Sequence, residues 1–263
     1  MTQNAWLRTA QLFKSLVIVA ASVFMVNCSS THDISHPELK TARADFSQVL
    51  TSNNTAQNIV QYLKLRQTYA LFADVEYLIK TDLLLAKLYH NNQQMDESRK
   101  ALAQCYKYAQ VPLWQKYLAD CYLLEYQQSQ SATVLDKFIN AAQTQRQMAY
   151  VYYYQQNYSK LKSVLAELSS TSATDAAWLY YQLGYDLSEV EAIKSALKLA
   201  QQHKQVQLIT DSLFLLSKIY WQQRNLELTH WYYALAVDSA KSHAPTLLQP
   251  MQKWFDSTGL ASE

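Results

Sequence analysis

Glycine occurs only at positions 184 and 259 of this 263-residue chain, and proline only four times. With so few, neither a phosphate-cradling loop nor a GxGxxG turn exists, because both need glycine where backbone approaches phosphate. The many tight reversals of an all-β fold are excluded too. The six histidines (32, 36, 90, 203, 230 and 243) place no i, i+4 pair on a helix, and no CxxC is present, so no zinc motif is readable. His32 and His36 are four apart but read as solvated linker beside Pro37. No serine sits in a GxSxG elbow, and Cys105 and Cys121 fall on core faces rather than beside a basic group. A non-catalytic protein without cofactor or metal is expected; its rival, an enzyme built on scattered carboxylates, has no motif behind it.

Charge of one sign is also lacking. Lys and Arg total 23 against 21 acidic residues, and setting aside Arg8 and Lys14 leaves 21 against 21. A nucleic-acid-binding domain should carry a basic stripe. Neither nucleic acid nor nucleotide is therefore expected as a partner.

What the chain has in quantity are helix formers, Leu, Ala, Gln, Lys and Glu. Among them one motif returns five times: Leu85-Ala86 with Tyr89, Leu118-Ala119 with Tyr122, Met148-Ala149 with Tyr152, Leu183-Gly184 with Leu187, and Leu216-Ser217 with Tyr220. The last positions lie 33, 30, 35 and 33 residues apart, the period of a helix-turn-helix repeat. A small residue lets two helices approach, while large and aromatic neighbours fill the space between hairpins. The competing reading is a non-repetitive helical bundle with ordinary 3.6-residue periodicity.

This order of large, small and aromatic residues resembles the tetratricopeptide repeat family over roughly residues 73–245. The resemblance implies an all-α fold, a right-handed α-solenoid of about five units with helices capping both ends. Second helices would present Ser98, Leu102 and Cys105 in the first unit and Thr229, Tyr233 and Ala236 in the last. The third unit departs with Leu161 at a small position, and the fourth lacks its aromatic and has a shortened turn at Asp186-Leu187-Ser188.

In order, residues 1–28 read as an export signal: Arg8 and Lys14 precede an apolar run from Leu16 to Val26, and no acid occurs before Asp33. The run ends in Met25-Val26-Asn27-Cys28-Ser29-Ser30, which resembles a bacterial lipoprotein cleavage box, with Asn27 where that pattern prefers Gly, Ala or Ser. That resemblance implies a lipidated Cys28 and, from the serine after it, an outer-membrane anchor facing the periplasm. The alternatives are an uncleaved anchor, or cleavage elsewhere with a free Cys28. A tether (29–36) leads to a capping hairpin (37–72) with helices near Glu38–Leu50 and Thr55–Leu71. The repeats (73–245) follow, then a capping helix and tail (246–263), amphipathic from Thr246 to Phe255.

If Cys28 carries lipid, Cys105 and Cys121 remain as an even pair in an oxidising compartment. A bond would close a loop of about 15 residues and contribute about 3 kcal/mol. Two small core cysteines are the other reading, and geometry decides between them.

In the resembled family, ligands lie in a concave groove lined by first helices. Carried over residue by residue, the lining is Lys80 and Lys87; Lys116 and Asp120; Arg146, Tyr150, Tyr153 and Tyr154; Trp178, Tyr181 and Tyr185; and Asp211, Phe214, Lys218 and Trp221. It would be cationic at its first end and aromatic in the middle. Tyrosine and tryptophan bring large, stiff contact area with a polar tip, yet they fill helix interfaces as readily. The expected partner is a peptide or helix of an envelope protein in outer-membrane protein, pilus or secretion, or cell-wall machinery. The alternative ligand is peptidoglycan or another polysaccharide, stacked on the rings.

Overall fold

The computed structural model describes residues 36–49 and 55–259. The expected signal, Cys28 and nearly all of the tether lie outside those residues. So do residues 50–54 of the expected capping hairpin. Every regular element described is helical, and successive helices pack neighbour to neighbour in an all-α, repeat-like arrangement. The chain divides into two compact units, Met1–Ser98 and Arg99–Glu263.

The first unit holds α1 (Pro37–Val49), α2 (Thr55–Leu71), α3 (Val75–Asn91) and the start of α4 (Met95–Ala109). Pro37 opens α1 at a position where its missing N–H costs nothing. Phe46 of α1 meets the rings of Tyr62, Tyr69 and Tyr77 at 5.5, 6.4 and 5.4 Å. The buried Tyr69 hydroxyl donates to the Ala42 carbonyl at 2.7 Å. Arg43 pairs with Asp74 at 2.8 Å and Arg66 with the buried Asp82 at 2.6 Å. The small-residue logic is visible between α3 and α4, where the Ser98 hydroxyl donates to the Ala86 carbonyl at 2.7 Å.

The second unit takes the rest of α4, a 3-10 turn (Pro112–Tyr117), α5 (Leu118–Ser129), α6 (Ala132–Ala141), α7 (Gln145–Tyr154) and α8 (Tyr158–Thr171). After these come α9 (Ala173–Leu187), α10 (Val190–Gln202), α11 (Val206–Gln222), α12 (Leu226–His243), a 3-10 turn (Pro245–Leu247) and α13 (Leu248–Ser257). Cys105 and Cys121 form a disulfide that ties α4 to α5, with Cα atoms 6.1 Å apart. One core gathers Ala119, Phe138, Ala149, Leu161, Leu165 and Leu183; a second gathers Ile193, Leu216, Ile219, Ala236 and Met251.

All five small residues of the repeated motif are buried. Three of its tyrosines also end their helices by one device. Gln93, Gln156 and Arg224 have positive φ (62°, 55° and 58°), each seven residues past its small residue. The next residue donates its N–H to the carbonyl of Tyr89, Tyr152 or Tyr220 at 2.8, 2.8 and 2.9 Å. This left-handed stop normally uses glycine, and a side chain there costs on the order of 1 kcal/mol. In two of the three, that next residue, Asn157 or Asn225, then caps the following helix through its own side chain.

The other two units are out of step by one turn. The left-handed residue is Gln130, eleven past Ala119, in the second unit, and Ser188, four past Gly184, in the fourth. Because α9 stops early, Leu187 is 44% exposed and does not occupy an interior aromatic position, so the motif's fourth copy ends at Gly184. Gly184 is needed for packing. A Cβ there would lie 2.3 Å from Cγ1 of the buried Ile193 and 3.1 Å from the Glu189 carbonyl oxygen. Gly184→Ala should gain up to about 1 kcal/mol of helix propensity and lose roughly 1 to 3 kcal/mol by overpacking. The clash wins because Ile193 is β-branched and enclosed. Urea melts should show a net loss; a mutant more stable than the parent would mean α9 and α10 are not this close.

Candidate functional site

The lining expected from the sequence falls on both units, so each part is described within its own. In the first unit Lys80 is not a free cation: its ammonium lies 2.6 Å from Glu76 and 4.7 Å from the Tyr77 ring centroid. Lys87, two turns on along α3, is exposed. The cationic end is thereby half neutralised within the chain.

In the second unit the first helices α5, α7 and α9 are joined by an ion cluster. Arg146 of α7 donates to Asp120 of α5 at 2.7 Å and to Asp175 of α9 at 2.8 Å. Tyr150, one turn further along α7, donates its hydroxyl to Asp175 at 2.7 Å, and the Ser172 hydroxyl donates to the same carboxylate. Burial by itself would raise the Asp175 carboxyl; the Arg146 charge and hydrogen bonds from Arg146, Ser172 and Tyr150 outweigh it and hold the group below the usual range. Burial, together with the Asp175 charge, pushes the Tyr150 phenol well up, so it stays a donor. Beside the cluster, the buried Gln147 accepts from the Thr144 N–H at 3.1 Å and donates to the Lys116 carbonyl at 2.9 Å. Lys116 is exposed, its ammonium 5.1 Å from the Tyr117 ring.

Next to the cluster the rings cover one another. Tyr150 stacks on Trp178 at 5.5 Å and on Tyr154 at 6.5 Å, while Tyr153 meets Trp178 edge-on at 5.5 Å. Tyr154 also meets Tyr126 at 4.8 Å, and the Tyr153 hydroxyl donates to Gln182 at 3.2 Å. Tyr150 is buried; Tyr153, Tyr154, Trp178 and Tyr181 are half-buried; Tyr185 is 61% exposed. Burial, with help from the charge of Asp211, lifts the Tyr181 phenol to about 12.

On α11, Phe214 is half-buried and Trp221 is 38% exposed. Both meet Trp254 of α13 edge-on, at 5.2 and 6.3 Å. The final helix does more than cover an end. It supplies a ring to the first-helix face, while Phe255 stacks on Tyr233 at 4.1 Å.

The side chains expected together from the sequence are thus brought together on α7 and α9, but Arg146, Tyr150 and Tyr154 are spent largely on internal contacts. Two participants, Asp175 and Gln147, are absent from the lining the sequence leads one to expect, and Trp254, expected only on the end-capping helix, joins this face as well. Asp175 carries a signal, since Ser172-x-x-Asp175 marks a helix start, but that pattern does not point to an ion pair with Arg146. Chemically the arrangement offers a contact surface. Among the described residues no cluster of three His, Cys, Asp or Glu side chains is placed to hold a metal ion, and no helix is long and apolar enough to cross a membrane. No protein-family model, no curated protein and no solved structure matches the chain in comparisons with known proteins.

Proposed function

We propose that the chain is a non-catalytic, lipid-anchored scaffold of the bacterial periplasm, a right-handed solenoid of tetratricopeptide-like repeats that binds another envelope protein on its first-helix face. The anchor rests on the lipoprotein-like sequence at Cys28. The binding face rests on one observation above all: Tyr185 and Trp221 stand exposed on α9 and α11, the helices that carry the half-buried Trp178, Tyr181 and Phe214. Rigid aromatic area with a wet edge is what protein partners use as anchors.

Peptidoglycan or another polysaccharide is the competing ligand. Sugar stacking needs open ring faces, and the stacked faces of Tyr150 and Trp178 are turned to each other. That favours side-chain packing by a protein. In cells, a photoreactive amino acid at Tyr185 should capture one dominant envelope protein, with capture reduced at least severalfold by Trp221→Ala. Capture of glycan alone, or of nothing dependent on Trp221, overturns the reading.

A further inference from the structure

Half-buried arginines on these helices are matched inside the chain: Arg43 with Asp74, Arg66 with Asp82, Arg146 with Asp120 and Asp175. The face of α11 breaks that pattern twice. Lys218 holds its ammonium 4.2 Å from the Phe214 ring centroid, and among the described residues no carboxylate lies within ion-pair distance of it. Asp211 accepts only from Gln207 of its own helix, at 3.2 and 3.3 Å, with no cation in reach. Burial acts on both in the direction that disfavours charge, raising the Asp211 carboxyl and lowering the Lys218 amine. A chain that neutralises its other half-buried cations has left one acid and one base open on a single surface.

The two charges are seven residues apart. On a helix that spacing returns to the same face about 10 Å along the axis. Phe214 lies between them and leads through Trp254 to Trp221. An extended strand repeats its facing side chains at about 6.6 and 13 Å, so it matches this pattern poorly. A second helix matches it directly.

We propose, building on the scaffold reading above, that α11 docks an amphipathic helix of the partner carrying a basic and an acidic residue seven positions apart with apolar side chains between them. The basic group meets Asp211, the acidic group meets Lys218, and the apolar residues cover Phe214 and Trp254. Either helix direction satisfies the pairing, so the recognised quantity is one charge of each sign at that spacing.

The test uses the full chain and helical peptides of about 20 residues in an alanine and glutamine host, with a leucine pair between two variable positions seven apart. Fluorescence anisotropy near 0.15 M salt should rank the Lys and Glu peptide about tenfold tighter than the Lys and Lys peptide, the Glu and Glu peptide, and a Lys and Glu peptide spaced five apart. Asp211→Lys should turn the preference to the Glu and Glu peptide, and Lys218→Glu to the Lys and Lys peptide. Asp211→Asn with Lys218→Gln, which nearly keeps shape, should erase the ranking. Lys241→Glu on α12 should leave it alone. No binding by any peptide, or a ranking that survives the charge reversals, overturns the inference. If Tyr185 captures a Trp221-dependent protein while the ranking fails, the scaffold reading stands and only this inference falls; capture of no protein condemns the scaffold reading itself.

Discussion

Replacing Arg146 with methionine is expected to lower stability by roughly 2 to 3 kcal/mol near neutral pH and the melting temperature by about 5 to 10 °C. Methionine keeps much of the stem, so the loss isolates the guanidinium. Two carboxylates, Asp120 and Asp175, are left mostly buried without a cation. Removing one partner of a fully buried pair costs about 3 to 5 kcal/mol; the lower figure applies because the Arg146 side chain is 37% exposed and water screens part of the field. Lysine should recover less than half of the loss, since one ammonium cannot fork to two carboxylates on different helices.

The pH dependence of this loss has a definite sign. In the parent, the Asp175 carboxyl is held low, so it stabilises the fold above its unfolded value of about 3.9 and loses that contribution as pH falls through the lower folded value. In the mutant only the hydrogen bonds from Ser172 and Tyr150 still oppose burial, so the Asp175 carboxyl moves up from its position in the parent. The stability lost with Arg146 is then small in acid, where that carboxyl is protonated, and grows as pH rises and it takes its charge. The stability gap between parent and mutant should therefore be wide at pH 7 and close towards pH 3.5. Urea melts at four or five pH values measure it, and a constant gap would mean that Arg146 acts by packing alone.

Removing the Cys105–Cys121 bond should cost about 3 kcal/mol, the cross-link entropy of a loop near 15 residues. Both cysteines are fully buried, so Cys105→Ala with Cys121→Ala adds a small packing loss. The decisive comparison uses reductant. Dithiothreitol should lower the urea midpoint of the parent to near that of the double mutant and leave the mutant unmoved. If reduced parent and oxidised parent unfold together, the bond contributes nothing to stability.

Helix placement was legible because a helix interior is written in composition and period. The opening hairpin was expected near Glu38–Leu50 and Thr55–Leu71 and is observed at Pro37–Val49 and Thr55–Leu71. Ala86, Ala119, Ala149, Gly184 and Ser217 were picked out by size and lie inside. Periodicity is silent on where each helix stops relative to its motif, so it puts Leu187 inside, whereas the residue lies outside. The candidate face was legible only as a surface. The family resemblance places Tyr150 and Arg146 on the groove face, without saying whether the group that meets them belongs to the chain. Asp175 answers both, and it lies 29 residues from Arg146 in sequence. Lys218 and Asp211 belong to the expected lining, but that neither meets an opposite charge among the described residues is visible only in the structure.

The glycine-free stops at Gln93, Gln130, Gln156, Ser188 and Arg224 also bear on how hairpins of unequal length share one set of interior rows. Relative to its small residue, the stop in the second unit comes four residues later than in the first, third and fifth, and the stop in the fourth comes three residues sooner. Both shifts are close to one helical turn. Gaining or losing three or four residues leaves each apolar row pointing as before, whereas one or two would swing it by about 100° or 200°. A hairpin that differs from its neighbour by a whole turn therefore keeps its interior rows in a common direction, which a difference of one or two residues would not allow.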